Sequence, residues 1–417
     1  MRARRRPPAC LRPGSRPLLI AMFSISSGVG YIAMIQILPV ILIPMADDLG
    51  VSRTAIAASS TVSTLVGALA AFPVGRLLDR FGGRALMAAG SGIGAVGVLI
   101  WSQATSPVVL YAAFAVIGMA LVMSTYEAAF AVIVVVDDAA HRDRTILAVT
   151  MIAGLATYLV YPLLGWLNTT YGWRTTLVIL AVALAVTSVP GHLWAIPSSA
   201  VHRSRVRTLP GIRVGEALRQ RRLWLIMFAF VAQSASVSAF LLLVITYLRD
   251  IGHSEAVATA IPIAIGVLQV LSRLALVTVA RRMPMTLAAT LAIGIQGIGL
   301  LVLPLVGLSI ALTLLCVAAV GLGQGVSVIA RPSIVADGFG VAEFASVLAT
   351  ISIPLALARA GSPLVGTWLA DWRFLVLGGA VALVGSLALL RVHIAHPVHP
   401  AEEPVPLPDA RATAARV

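Results

Sequence analysis

The chain has 417 residues, of which 59% are apolar and only 11% charged, and its formal net charge is +14. A soluble globular domain carries roughly 25% charged residues, so this chain lacks the polar surface to face water, which argues against a water-soluble enzyme or binding module. Its basic residues are all arginine and sit in short blocks between apolar runs without interleaved aromatics, which points to orientation in a bilayer rather than to nucleic acid.

A basic arm, 1–17, carries Arg2, Arg4, Arg5, Arg6, Arg12 and Arg16. The apolar stretch behind it runs to about residue 44 without a small-residue cleavage site, so it reads as a first span that stays in place. Further apolar runs lie near 54–75, 85–102, 107–136, 145–167, 173–195, 223–248, 256–280, 284–305, 308–333, 342–369 and 373–392, giving twelve spans. Each can cross a hydrocarbon core of about 30 Å at about 1.5 Å per residue, and a helix satisfies its own backbone groups, as lipid demands. The alternation that a β-barrel needs is missing. The expected fold is therefore an all-α integral membrane protein: six spans over 18–195, a basic link at 196–222, six spans over 223–392, and a tail at 393–417.

Arginines crowd the N-terminus, every second connection, the central link and the C-terminus. The opposite connections hold only Arg53, Arg174, Arg249 and Arg373, while Arg273 and Arg359 fall within spans. By the positive-inside rule both termini are expected in the cytoplasm, with the chain multi-pass in the plasma (inner) membrane. Pro162–Gly165 followed by Trp173-Arg174 is echoed by Pro363–Gly366 followed by Trp372-Arg373, almost half the chain apart. A repeat at that distance suggests duplicated halves. Cys10 and Cys316 are the only cysteines, so no disulfide framework is expected.

Between spans 2 and 3 stands Gly75-Arg-Leu-Leu-Asp79-Arg80-Phe-Gly82-Gly83-Arg84. Gly75 lets helices approach, Asp79 can accept from a helix N-terminus or an arginine, and Gly82 permits a turn. The run resembles the loop signature of the major facilitator superfamily, Gly-x-x-x-Asp-Arg-x-Gly-Arg-Arg, with Gly83 where that family often has a basic residue. The layout resembles the family over roughly 18–392. The resemblance implies two pseudo-symmetric six-helix bundles around a central cavity, lined by spans 1, 4, 7 and 10 and flanked by 2, 5, 8 and 11. It also implies transport by alternating access with no cofactor, and a conformational latch made of Gly75, Asp79, Arg80, Gly82, Arg84 and Arg331. After span 8 only basic character is kept, at Arg281 and Arg282.

Departures narrow the subclass. Phe114 stands four residues before Gly118, where many proton-coupled members have arginine, and Tyr161-Pro162-Leu-Leu-Gly165-Trp166 keeps little of the drug-antiporter pattern. Arg273 with Gln269 one turn earlier more weakly resembles monocarboxylate carriers, with glutamine in place of the acidic partner.

A charge at the centre of a span costs about 2.5–3.5 kcal/mol on insertion, so those retained usually face a cavity or a partner. Glu127 beside Tyr126 in span 4, Arg273 in span 8 and Arg359 in span 11 are such charges. Arg273 or Arg359 is expected to bind an anionic group of the solute, because guanidinium offers a fork matched to carboxylate; internal pairing is the alternative. Glu127 is the candidate for proton coupling, or else a structural ion-pair partner. Gln36, Gln233 with Ser234 and Ser236, Gln324, Tyr158 and Tyr161 add polar points on the pathway, and Gln296 is a weaker one because span 9 is expected to be peripheral.

Gly92-Ile-Gly94-Ala-Val-Gly97 fits a dinucleotide-binding expression but lies inside span 3 with no preceding strand, so it reads as helix packing. His393, His396 and His399 sit beside a Pro-rich tail and read as neither a metal site nor a folded element. The expected function is secondary transport by a monomer, with proton-coupled symport of an organic anion as the first mechanism. Efflux of amphipathic compounds is the runner-up, and a non-transporting membrane sensor is the rival from another class. No nucleophile or metal constellation suggests an enzyme.

Overall fold

A computed structural model describes residues 15–137, 139–198, 211–279, 283–369 and 372–395. Helices α1 (Ser15–Tyr31) and α2 (Leu38–Leu49) form one rod, joined by a π-helical turn at Ile32–Gln36. The first half continues with α3 (Arg53–Phe81), α4 (Gly83–Ser102), α5 (Pro107–Ser124), α6 (Tyr126–Val136), α7 (Ala139–Leu159) and α8 (Tyr161–Ala195). After the short α9 (Val214–Arg219), the second half comprises α10 (Arg221–Asp250), α11 (Glu255–Val279), α12 (Met285–Val306), α13 (Ile310–Phe339), α14 (Phe344–Leu369) and α15 (Arg373–Ala395).

Among the described residues, 10 helical segments are long and apolar enough to cross a membrane. Helices α7 and α11 bring the passes to the expected twelve. Helix α8 contains a sharp break at Gly172, whose φ of 76° only glycine adopts without strain. Its first turns therefore continue the fifth span, and the sixth begins beyond Gly172. The chain is a multi-pass membrane protein of all-α fold.

The helices sort into two bundles. In the first, α4 packs on α5 and α8, α1 on α7 and α8, and α3 on α5; in the second, α12 packs on α13 and α15, α10 on α14 and α15, and α11 on α13. Across the seam α3 meets α14 and α7 meets α11, an exchange of equivalent helices that a pseudo-twofold axis requires. Glycines set the closest approaches. A Cβ on Gly118 would run into the Ser63 carbonyl, and one on Gly97 would lie 3.0 Å from Ile117 Cγ1, whereas Gly92 faces open space. The glycine-rich run of span 3 is thus a contact surface for α5.

The two copies of the Trp-Arg repeat differ in use. Arg174 lies 4.2 Å over the Trp173 ring, donates to the carbonyls of Ser102 and Ala104 at 3.0 Å each, and reaches Asp48 at 2.8 Å. It clamps three spans at the Arg-poor end. Trp372 and Arg373 in the second copy are exposed. Of the three C-terminal histidines, His393 pairs through Nδ1 with Thr286 Oγ1 at 3.1 Å, tying α15 to α12; His396 and His399 lie outside the described residues.

Candidate functional site: a central cavity closed at one end

A cavity of about 610 Å³ lies between the two bundles, within the range of small-molecule sites. Tyr126, Glu127, Gln36, Gln233, Gln269, Arg273, Gln324 and Arg359 all line it, and so does Arg331. The backbone of Tyr158 belongs to α7, but its side chain lies outside the described part of the structure.

Glu127, at the start of α6, forms part of the cavity floor. Its Oε1 accepts from Arg331 Nη2 at 3.2 Å and from Ser352 Oγ at 2.8 Å, so one carboxylate of the first half holds α13 and α14 of the second. Sequence reasoning grouped Arg331 with the latch; the structure places it on this floor.

Arg359 stands in the middle of α14, yet it is exposed, so the space it faces is the cavity rather than lipid. Its Nε donates to Ser234 Oγ at 2.5 Å, and its own carbonyl accepts from Ser238 Oγ at 2.8 Å. Arg273 reaches across the seam to the Thr150 carbonyl at 3.3 Å, where Gly154 leaves room: a Cβ there would lie 3.1 Å from Arg273 Nη1.

The neutral polar residues divide. Gln36 Oε1 accepts from the Tyr161 hydroxyl at 3.0 Å. Gln233 is buried and donates to Gln324 Oε1 at 3.0 Å and Gln296 Oε1 at 3.3 Å, which joins α10, α12 and α13. Gln296 is fully buried because Gly323 opposite it has no Cβ; one there would collide with its amide. Ser236 is taken up by the carbonyls of Ala232 and Gly378.

The halves are also tied at the Arg-rich end. Asp79 accepts from the backbone N–H groups of Ala345 at 3.0 Å and Ser346 at 2.9 Å, at the first turn of α14, where the helix dipole favours an anion. Gly75, one turn earlier, makes this possible: a Cβ would stand 2.8 Å from the Ala345 carbonyl oxygen and 3.1 Å from Ala349 Cβ. Gly82 turns the chain between α3 and α4 with φ 78°. A Cβ on Gly83 would run into the Val132 side chain, so a basic residue at this position would force Val132 to move. Arg80 lies over the Phe81 ring at 5.1 Å and Arg84 is exposed, positions suited to anchoring at a membrane surface.

Several ties left no clear mark in the sequence. Arg142 of α7 pairs with Asp337 of α13, and Asp143 accepts from Ser333 Oγ at 2.7 Å. The end of the central link docks beside them: Ile212 N–H donates to the Phe339 carbonyl at 3.0 Å and Val214 N–H to Glu343 at 2.8 Å. Tyr31, the last residue of α1, also lines the cavity, its ring centroid 5.3 Å from that of Tyr126. The signal that could have found Tyr31 is its place five residues before Gln36 in a span expected to line the cavity.

Residues 18–361 match the family model described as Major Facilitator Superfamily. Among solved structures, the human organic anion transporter MFSD10 (TETRAN) superposes with a TM-score of 0.70 at 17% identity, covering 91% of this chain and 100% of that one. The proton:xylose symporter XylE gives 0.64 at 15% identity over 91% and 96% of the two chains. The E. coli fucose:proton symporter FucP gives 0.67 at 12% identity over 91% and 98%. Likeness at these identities is a likeness of fold. No curated protein matches the chain in sequence.

Proposed function

Because the chain belongs to the Major Facilitator Superfamily, a family of membrane transporters, we propose that it carries a small organic anion through its central cavity by alternating access, with a proton as the co-transported ion. One observation carries the reading: Arg273, Arg331 and Arg359 line a cavity in which Glu127 is the only lining carboxylate among the described residues. Each guanidinium costs free energy to hold within the membrane, and a bound carboxylate offsets that cost through two charge-assisted hydrogen bonds. The name of human MFSD10 as an organic anion transporter agrees with this choice of solute.

Glu127 supplies the coupling step. It is held by Arg331 while the solute is absent. An arriving anion competes for the guanidinium groups of the cavity, Arg331 among them, and Glu127, the one carboxylate that lines the cavity among the described residues, is the group left to carry the proton. Proton and anion then cross together. The ties at Asp79, Arg142 and Asp143 close the Arg-rich end, which the positive-inside rule assigns to the cytoplasm, so the cavity faces the opposite compartment in this state.

The test is counterflow and solute-driven proton flux in liposomes across a panel of carboxylates and neutral metabolites. Uptake of an anion with acidification of the lumen is expected, reduced at least tenfold in Arg359→Lys or Arg273→Lys, since lysine cannot reproduce the fork. Wild-type rate and affinity for every accepted solute in both variants would overturn the anion reading.

A further inference from the structure

An anionic group accounts for one end of the solute, and the aromatic residues that line the cavity bear on the rest of it. Tyr31 and Tyr126 line the cavity side by side, both half-buried, with ring centroids 5.3 Å apart and planes tilted by 52°. Tyr126 in turn lies 5.8 Å from Phe130, a buried ring that keeps it in place. Arg273, Arg331 and Arg359 line the same cavity, and Glu127, next in the chain to Tyr126, accepts from Arg331 at 3.2 Å. Tyr31 also ends α1 immediately before the π-helical turn, a local irregularity often found at functional sites.

The aromatic surface and the cationic surface therefore meet at one place in the cavity. We propose that Tyr31 and Tyr126 form an aromatic wall that selects organic anions with a planar aromatic ring, the ring lying against the two tyrosines while its carboxylate engages Arg359. Packing alone does not call for this arrangement. Two tyrosines serving only as core filler would be buried like Phe130, whereas these two are half-buried and line the cavity that Arg359 also lines. An aromatic ring offers edge-to-face and offset contacts that an aliphatic ring of equal size does not, worth roughly a threefold to tenfold preference. The proposal rests on the anion reading above, and the probes below separate the two.

The experiment compares three probes on the purified full chain in nanodiscs: benzoate, cyclohexanecarboxylate and benzamide. Binding is followed by calorimetry, and counterflow is measured in liposomes. Benzoate is expected to bind at least threefold tighter than cyclohexanecarboxylate. Tyr31→Phe keeps the ring and is expected to retain that preference, while Tyr31→Leu and Tyr126→Leu reduce it to less than twofold; a monodisperse elution profile shows that each variant is folded. Equal affinity for the two acids, failure to bind either, or a preference that survives both leucine variants would overturn the aromatic wall. Benzamide binding as tightly as benzoate, with the ring preference intact, would overturn the anion reading and with it the Arg359 contact, while the contact of the ring with the two tyrosines would stand.

Discussion

Gly75→Ala is expected to shift the protein away from the state closed at its Arg-rich end. The added Cβ would stand 2.8 Å from the Ala345 carbonyl oxygen, 3.0 Å from the Ala345 carbonyl carbon and 3.1 Å from Ala349 Cβ. Two of these atoms are backbone at the start of α14, so no side chain can rotate away and the helix itself must retreat. The same turn donates to Asp79 at 3.0 and 2.9 Å, and a retreat of a few tenths of an ångström weakens both bonds. Overpacking of this kind costs about 1–3 kcal/mol. Because the contact exists only where α3 touches α14, that cost falls on the closed state and changes the ratio of states roughly 5- to 150-fold.

Spin labels placed at Phe81 and Arg391, both exposed and on opposite halves, would report the opening as a longer distance in a background where Cys10 and Cys316 are replaced by serine. Gly92→Ala, whose Cβ meets nothing within 4 Å, is the control and should leave the distribution unchanged. An unchanged distance distribution in Gly75→Ala, with only the melting temperature lowered, would refute the reasoning: the close approach would then be present in both states.

Other perturbations probe other depths. Glu127→Gln removes the charge that holds Arg331 while keeping the volume, so accumulation driven by a pH gradient should vanish while solute exchange at equal pH persists; retained pH-driven accumulation would remove Glu127 from coupling. Arg174→Ala loses its contacts to Ser102, Ala104 and Asp48. The ion pair is partly exposed and adds little, so a stability loss of about 1–2 kcal/mol is expected from the two carbonyl bonds, measured by thermal unfolding with transport per folded molecule unchanged. Gly323→Ala should destabilise by about 1–3 kcal/mol through collision with Gln296, and Gln296→Ala in the same chain should restore part of that loss.

Much of the fold was legible because the bilayer leaves a chain few options. Apolar runs must be helices, arginines must collect on one side, and costly intramembrane charges must face something polar. That placed Glu127, Arg273 and Arg359 on spans expected around the cavity, and the structure brings all three to it. Their partners were not legible. Glu127 meets residues 204 and 225 positions away, and which serine or arginine faces it depends on the rotation of whole helices, which hydropathy does not encode. Arg174 resembled an ordinary loop charge because its acceptors are backbone carbonyls, which every sequence has. Helix α7 carries His141-Arg142-Asp143-Arg144 near its start, whose charge weakens the apolar signal of the fifth span, while Gly172 marks the turn that separates it from the sixth.

Helix α14 joins the three depths of the seam. Ala345 donates to Asp79, Ser352 holds Glu127, and Arg359 faces the cavity. These positions are seven apart, which is two turns with a drift of only about 20°, so they lie along one face with a rise of about 10 Å between them. A solute that pulls on Arg359 therefore acts on the same helix that Asp79 caps. Pro354 sits between Ser352 and Arg359 and lacks the N–H that would complete the helix there, which makes it the natural point of bending. If α14 transmits as a rod, Arg359→Ala and Gly75→Ala should interact in their effect on the opening equilibrium by more than about 0.5 kcal/mol, despite lying beyond contact range of each other. Simple additivity would place the transmission elsewhere, in the paired movement of α7 against α11.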